Sequence, residues 1–311
     1  MAIKALGYVV IETAKPEAWD AFLTRIVGAM RGDDAPGAAL YRIDDRPFRL
    51  RIETGSAERL AAAAYEVDGP AELAALRARF VAAGLPVEDG SAEAARERCV
   101  TAFFRASDPA GNRLEFFHGG TPERTPFVSP AGVSGFVTGD MGMGHVVFAA
   151  PNFAETHAFY ESIGFHDTDV ARYRFSDDPA DPGMGFTFMH AANGRHHSLA
   201  LGDIPGPLFG CLHVMLEMKS QVDVGRCHDR MRAAKIPESA TIGRHVNDRT
   251  FGFYMQTPSG FDIEIGCDPL VIDPAKWVPT AHMSPSEWGH RWAWQDALEA
   301  GNAAGDPPKA S

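Results

Sequence analysis

An internal repeat constrains the fold of this 311-residue chain more than any other feature. The segments 6–11 and 143–148 both have the pattern of a short β-branched strand, and each is followed by a helical stretch. The segments 65–86 and 216–237, whose first residues are 151 positions apart, both run from a strand through a turn and an amphipathic helix to a proline. Matching segments in the same order indicate a duplication, so we expect two similarly built halves.

A third pair of segments completes the repeat. Residues 108–115 and 257–264 each contain a P-x-G turn that leads into a strand, and a glutamate, Glu115 or Glu264, follows the glycine by four residues. Each half also contains two units that run from a strand through a helix into several strands. Helices followed by runs of strands favour an α+β fold over a doubly wound parallel sheet.

Composition near the middle of the chain predicts the domain boundaries. Residues 119–142 contain nine glycines and prolines, which break helices and strands. We therefore expect an N-terminal domain over 1–120, a linker over 121–141 and a C-terminal domain over 142–290. The remaining tail, 291–311, ends in small and polar residues and is predicted to be partly disordered.

Charge and cysteine content argue against several classes of function. Lys and Arg total 29 against 41 Asp and Glu, and the net charge of -12 argues against a nucleic-acid partner. The four cysteines are widely spaced, which predicts reduced thiols rather than a disulfide framework. No apolar run approaches the roughly 20 residues that a membrane span needs, and no signal-peptide core is visible. We expect a cytoplasmic protein that has no membrane partner.

The second half contains a triplet of candidate metal ligands that its duplicate lacks. The triplet consists of His145, His213 and Glu264. The equivalent positions in the first half are Tyr8, Ala62 and Glu115. Two imidazoles and one carboxylate leave three coordination positions open, as in Fe(II) enzymes that bind both a substrate and O2. One such histidine alone is more often a hydrogen-bonded core residue, but the set of three favours a metal site.

Residues 243–264, GRHVNDRTFGFYMQTPSGFDIE, carry a resemblance to a known family. The segment is similar to the signature of the type I extradiol ring-cleaving dioxygenases, within the vicinal oxygen chelate superfamily. The matching positions are His245, Tyr254, Pro258, Gly260 and Glu264. Segments 139–145 and 195–199 also resemble this family. The resemblance covers the whole chain, and it implies two domains, each of two βαβββ modules in a glyoxalase-like fold, with the metal only in the second domain.

The family resemblance implies a role for each candidate residue. His145, His213 and Glu264 would bind Fe(II), although the same ligands accept Mn(II), and O2 would be the co-substrate. His197 would lie beside the O2 position, whereas His196 would point to the opposite face. His245 and Tyr254 would hydrogen-bond the catechol oxygens, with Asp248 orienting that group. The predicted substrate contacts are Phe188, Val147, His245 and Tyr254.

The strand over 185–189 is expected to lie beside the substrate. Alternation along a strand would place Phe186 and Phe188 on one face and Met189 on the other. Both rings could be ordinary core residues, or Phe188 could form a wall of the substrate pocket and contact the distal ring of a bicyclic catechol.

These features predict extradiol cleavage of a catechol, with dihydroxybiphenyl-like or dihydroxynaphthalene-like substrates preferred and one-ring alkylcatechols as the alternative. The resemblance also implies a homo-oligomer. A metal-dependent isomerase or epimerase of the glyoxalase kind is a second interpretation, but it would not need His197, His245 and Tyr254 together. A non-enzymatic ligand-sequestering protein of the same superfamily is a third, and it would lack the metal ligands.

Overall fold

A computed structural model describes residues 3–33, 35–174, 180, 182–204 and 210–296. Within these ranges the chain forms two mixed β-sheets that are flanked by a few helices. Most of the tail for which disorder is predicted, residues 297–311, lies outside the described residues. No helix among the described residues is long and apolar enough to span a membrane.

The first sheet is formed by the first half of the chain. Its strands are β1 (Ala5–Thr13), β2 (Met30–Arg31), β3 (Ala38–Arg42), β4 (Leu50–Thr54), β5 (Arg59–Glu66), β6 (Glu88–Asp89), β7 (Ala102–Ser107) and β8 (Arg113–His118). Its helices are α1 (Pro16–Ala21), α2 (Pro70–Ala82) and α3 (Ala92–Glu97). A π-helical turn, Phe22–Val27, continues directly from α1. The spatial order of the strands is β2-β3-β4-β1-β5-β8-β7-β6.

The second sheet is formed by the second half. Its strands are β9 (His145–Ala149), β10 (His166–Tyr173), β11 (Met184–His190), β12 (Leu199–Asp203), β13 (Gly210–Glu217), β14 (Glu238–His245), β15 (Phe251–Gln256), β16 (Asp262–Cys267), β17 (Thr280–His282) and β18 (Ser286–Trp288). The helices are α4 (Phe153–Ile163) and α5 (Gln221–Ala233), and a short 3-10 turn, Gly139–Met141, precedes β9. The spatial order is β17-β10-β11-β12-β9-β13-β16-β15-β14-β18.

Apart from the two edge strands β17 and β18, the two sheets have the same topology. In each half, a strand and a helix are followed by three further strands, and this unit occurs twice. The predicted α+β fold of βαβββ modules is therefore confirmed. The strand register is also equivalent. Ala64 pairs with both Tyr8 and Glu115. Met215 likewise pairs with both His145 and Glu264.

The strands β17 and β18 are not anticipated by the repeat. After β16 the chain crosses to both edges of the second sheet, where β17 pairs with β10 and β18 pairs with β14. Both are too short for an alternating pattern to identify them, but they satisfy backbone groups that an open sheet edge would leave unpaired. Their position brings residues 285–294 to the cavity described below.

The halves are connected by a segment of irregular structure and share one apolar core. Residues 119–138, all within the described ranges, form no helix or strand beyond an isolated bridge between Phe136 and Met218. The core extends through both halves without interruption. The ring of Phe80 packs edge-on against Phe159, with 5.5 Å between the ring centroids. This packing gives the second sheet a rigid support.

Candidate metal centre and active site

Three adjacent strands in the middle of the second sheet each supply one candidate ligand. His145 begins β9, His213 lies in β13 and Glu264 lies in β16. Strand β13 runs antiparallel to β9 and parallel to β16, so the three side chains meet on one side of the sheet. The meeting point depends on pairings between residues that are far apart in the sequence.

The three predicted ligands converge on a single point. The Nε2 atoms of His145 and His213 are 3.2 Å apart. Oε2 of Glu264 lies 3.3 Å from the first of these nitrogens and 3.4 Å from the second. Three potential ligand atoms at these separations have the donor set and the proximity that a divalent metal ion requires.

Glu264 itself provides a test of whether a metal fits. Its side chain is 1% exposed, and its Oε1 accepts no hydrogen bond. Burial alone would raise the pKa of this carboxyl, but the neighbouring histidines hold the pKa well below its ordinary value. A buried carboxylate oxygen without a partner is rare in native proteins, and a cation bound at this point would satisfy it.

His245 and Tyr254 form a hydrogen-bonded pair beside the carboxylate. His245 Nε2 is 2.7 Å from the Tyr254 hydroxyl, and its Nδ1 donates to the carbonyl of Pro285 at 2.9 Å. Burial lowers the pKa of His245, but Glu264, whose Oε1 is 3.5 Å from Nε2, outweighs burial and raises the pKa to about 9. A divalent cation on Glu264 would oppose this positive charge.

His197 lies on the other side of the predicted ligands. Its ring packs against His145 with 4.0 Å between centroids, and the edge of Phe188 approaches it at 5.0 Å. Burial, with the nearby His145 and His196, lowers the pKa of His197 well below its ordinary value. His197 is therefore neutral and able to accept a proton.

Asp248 lies in a turn that Thr250 stabilises. Its carboxylate accepts hydrogen bonds from the backbone N–H and the hydroxyl of Thr250, at 3.0 and 2.6 Å. The nearest imidazole is His197, with 4.0 Å between Oδ2 and Nδ1. The turn 246–250 thus brings Asp248 near His197, and the charge of Asp248 also raises the pKa of His245 and of Tyr254.

A cavity of about 540 Å³ opens onto these side chains. Every predicted site residue lines it: His145, Val147, Phe188, His197, His213, His245, Asp248, Tyr254 and Glu264. Phe186 also lines it, whereas Met189 is completely buried in the core, as the alternation along β11 predicts. The described lining residues include no lysine or arginine, and they are mostly apolar at a distance from the ligands.

Three residues of the site were missed by the sequence analysis because they follow the repeat. His290 stacks on His245 with 4.2 Å between centroids, and Trp292 packs on Tyr254 at 4.9 Å. Pro285 supplies the carbonyl that accepts from His245. The aromatic-rich segment 288–294, WGHRWAW, was the available signal, since exposed tails rarely contain so many large rings.

Comparisons with known proteins agree with this geometry. Residues 142–265 match the family model of the glyoxalase, bleomycin resistance protein and dioxygenase superfamily, and residues 6–55 match that of the dihydroxybiphenyl dioxygenase BphC D1. An iron-dependent extradiol dioxygenase of Rhodococcus jostii is 39% identical over 93% of this chain and 97% of its own length. A biphenyl-2,3-diol 1,2-dioxygenase of Paraburkholderia xenovorans is 38% identical over 98% of this chain and 100% of its own.

A solved structure extends the comparison to three dimensions. The crystal structure of BphC, a halotolerant catechol dioxygenase, superimposes with a TM-score of 0.87 and 33% identity over 95% of this chain and 96% of the other. With near-complete coverage in both comparisons, the chain belongs to the type I extradiol ring-cleaving dioxygenases of the vicinal oxygen chelate superfamily and is an enzyme.

Proposed function

We propose that the protein uses ferrous iron and O2 to cleave a bicyclic catechol, such as 2,3-dihydroxybiphenyl or 1,2-dihydroxynaphthalene, next to its two hydroxyls. The observation that carries the proposal is the buried Glu264 carboxylate, with two imidazole nitrogens within 3.4 Å of one oxygen and no hydrogen bond to the other. An iron-dependent relative of almost the same length supports the choice of iron over manganese.

His145, His213 and Glu264 would hold the metal. Bound there, ferrous iron would supply a Lewis acid with open positions for the catechol and for O2. The ligand strands β9, β13 and β16 are central in the sheet, so the ligands keep their positions when substrate enters.

His245 and Tyr254 would orient the catechol oxygens. Their 2.7 Å hydrogen bond and the carbonyl of Pro285 fix both side chains at the cavity wall. A hydroxyl of the substrate can then exchange hydrogen bonds with this pair, whose His245 Nε2 lies 3.5 Å from Glu264 Oε1. Positioning of this kind accounts for much of the rate of an enzyme that must align a substrate with a co-substrate.

His197 would act as the acid–base group on the opposite side. It is neutral and buried and it lines the cavity, so it can accept a proton from the substrate and return it when the ring opens. Asp248, 4.0 Å from His197 Nδ1, would hold this imidazole rather than the His245–Tyr254 pair.

The apolar part of the cavity would bind the second ring. Phe188 packs edge-on against His197, Val147 pairs with the predicted ligand His213, and Phe186 continues the same face of β11. A volume of about 540 Å³ is within the usual range for small-molecule pockets and accommodates more than one ring. A relative that acts on biphenyl-2,3-diol supports the same size of substrate.

The test is a panel of catechols assayed aerobically with the Fe(II)-reconstituted protein, with O2 uptake and coloured ring-opened product measured together. We expect one O2 consumed per ring opened and a higher kcat/KM for the bicyclic catechols than for catechol and 3-methylcatechol. Equal or better efficiency on the one-ring substrates would refute the bicyclic assignment. An absence of O2 uptake with every catechol would refute the proposed activity, and an isomerase would give that result.

A further inference from the structure

A second histidine lies behind His197 and connects it to a buried carboxylate. His196 Nδ1 is 3.1 Å from His197 Nδ1, and His196 Nε2 is 2.8 Å from Oδ2 of Asp169. The exposed fractions are 1% for His196, 3% for His197 and 0% for Asp169. The three side chains therefore form a hydrogen-bonded row inside the protein, and the row ends at the cavity with His197.

Asp169 is fixed in place and charged. Its Oδ1 accepts from the backbone N–H of Thr280 at 3.0 Å and from the Thr280 hydroxyl at 2.5 Å. Burial raises the pKa of this carboxyl, but the hydrogen bonds from His196 and Thr280 outweigh burial and keep the pKa below its ordinary value. Because an ionised carboxylate only accepts hydrogen bonds, His196 Nε2 must carry a hydrogen.

The orientation of His196 is equally constrained. The hydroxyl of Thr168 donates to the backbone carbonyl of His196 at 2.7 Å. The indole of Trp277 packs edge-on against the His196 ring at 5.7 Å, and its N–H donates to the carbonyl of Thr168 at 2.8 Å. Turning the His196 ring would break its 2.8 Å contact with Asp169 and its 3.1 Å contact with His197 Nδ1.

The hydrogen between the two Nδ1 atoms belongs to His197. When His196 carries its single ring hydrogen on Nε2, its bare Nδ1 can only accept. The donor must then be His197 Nδ1–H, and the same hydrogen faces the carboxylate of Asp248, whose Oδ2 is 4.0 Å away. A bare nitrogen at this position would face the negative charge of Asp248 instead. The resulting tautomer leaves Nε2 of His197 without a hydrogen.

We propose that Asp169 and His196 are positioning residues that hold His197 in the tautomer with a hydrogen on Nδ1 and a free Nε2. The inference rests on the proposed function, because the free Nε2 matters only if His197 is the acid–base group. In this tautomer Nε2 can accept one proton from the substrate, which makes His197 a transient cation, and can return the same proton later. The opposite tautomer would carry a hydrogen on Nε2 and could not accept one there.

Replacing Asp169 by asparagine tests the direction in which the hydrogen bonds of this row are donated. In D169N the amide oxygen can still accept from Thr280, and its NH2 group would donate to His196 Nε2. His196 would then carry its hydrogen on Nδ1 and donate to His197, which would place the His197 hydrogen on Nε2. We expect kcat to fall on the order of 10²-fold, while iron content and anaerobic catechol affinity stay at wild-type values.

A matched control lies on the same strand. Asp167 is two residues before Asp169 in β10 and makes an equivalent 2.8 Å contact with His157, outside the cavity. D167N should therefore keep wild-type kcat. Equal losses of kcat in D167N and D169N, or wild-type kcat in D169N, would contradict the proposal.

Neutron diffraction shows the tautomers of His196 and His197 directly and does not depend on an activity assay. The crystals would be of the wild-type holoenzyme, exchanged with deuterium near neutral pH. We expect deuterium on His196 Nε2 and on His197 Nδ1, with none on His197 Nε2. Deuterium on His197 Nε2, or on both nitrogens of His196, would overturn the proposal even if D169N does not fold. The proposed function fails separately, if the wild-type enzyme opens no catechol, and that result leaves the neutron map unaffected.

Discussion

The two halves of the molecule place a glutamate at the same point of the same fold and surround it with different side chains. In the first half Glu115 accepts from the Tyr8 hydroxyl at 2.6 Å, from Arg98 at 2.7 Å and from Arg105 at 3.1 Å. In the second half Glu264 faces two imidazole nitrogens, and one of its oxygens accepts no hydrogen bond.

The equivalent strand registers allow the neighbours of the two glutamates to be compared residue by residue. Arg105 pairs with Glu115 in the first half, and Tyr254 pairs with Glu264 in the second. The first half thus neutralises its buried carboxylate with two arginines of its own, whereas the described residues that line the cavity around Glu264 include no lysine or arginine. The fold supplies the position of the glutamate, and the neighbouring charges decide whether the position binds a metal.

The largest difference between the halves should appear when each glutamate loses its charge. We expect Glu264→Gln to fold, to lose its iron and to have no measurable ring cleavage, because the amide keeps the shape of the side chain but removes the negative charge that a carboxylate ligand contributes. Iron content, O2 uptake and circular dichroism measure the three effects.

The matched variant is Glu115→Gln. It should keep iron and activity but lower the free energy of unfolding by about 3 kcal/mol, because it leaves the buried Arg98 with Glu53 alone, 4.0 Å away. If E264Q retains stoichiometric iron, or if E115Q loses it, the two glutamates do not have the different roles described here.

The next largest effect is expected when His197 is replaced. We expect His197→Phe to keep iron and to bind catechol anaerobically, with kcat reduced on the order of 10²-fold, the usual contribution of a positioned acid–base group. Stopped-flow turnover and anaerobic titration separate the two quantities. Loss of iron in H197F would mean that His197 is a ligand and that His145 or His213 is not.

A smaller effect is expected at the apolar wall. Phe188→Ala should lower the kcat/KM ratio of 2,3-dihydroxybiphenyl to 3-methylcatechol roughly tenfold, which corresponds to about 1.4 kcal/mol of lost contact with the second ring. Val170→Ala on the neighbouring strand β10 is the control, since this side chain is exposed and does not line the cavity. An unchanged ratio in F188A would place the second ring elsewhere in the cavity.

The smallest effect is expected when two histidines are introduced into the first half at the positions equivalent to His145 and His213. The double variant Tyr8→His, Ala62→His recreates two imidazoles beside Glu115, but Arg98 and Arg105 still neutralise the carboxylate. We expect iron content to stay at one per chain by elemental analysis. A second tightly bound iron would show that histidines alone convert this fold into a metal site.

Much of the site could be predicted because the repeat provided an internal reference. The sequence shows that His145 stands at the position equivalent to Tyr8, and that His213 stands at the position equivalent to Ala62. The positions are truly equivalent because β1 and β9 have the same register with their neighbouring strands. The signature around His245 and Tyr254 predicted which polar residues face the same cavity.

The rest depends on contacts that no local pattern encodes. Strands β17 and β18 are three residues each, so periodicity does not reveal them, and they bring His290 and Trp292 to the site. The 4.0 Å approach of Asp248 to His197 depends on a turn that Thr250 stabilises, and the direction of this turn follows from three-dimensional packing. The Asp169–His196 contact joins β10 to the turn that precedes β12 through side chains, which sequence spacing does not predict.

The most direct test of the central claim is anomalous diffraction at the iron absorption edge from crystals reconstituted with Fe(II). We expect a single strong anomalous peak per chain, surrounded by His145 Nε2, His213 Nε2 and Glu264, and no peak beside Glu115. A peak at Glu115, or a peak in the second half that does not contact all three of these residues, would contradict it.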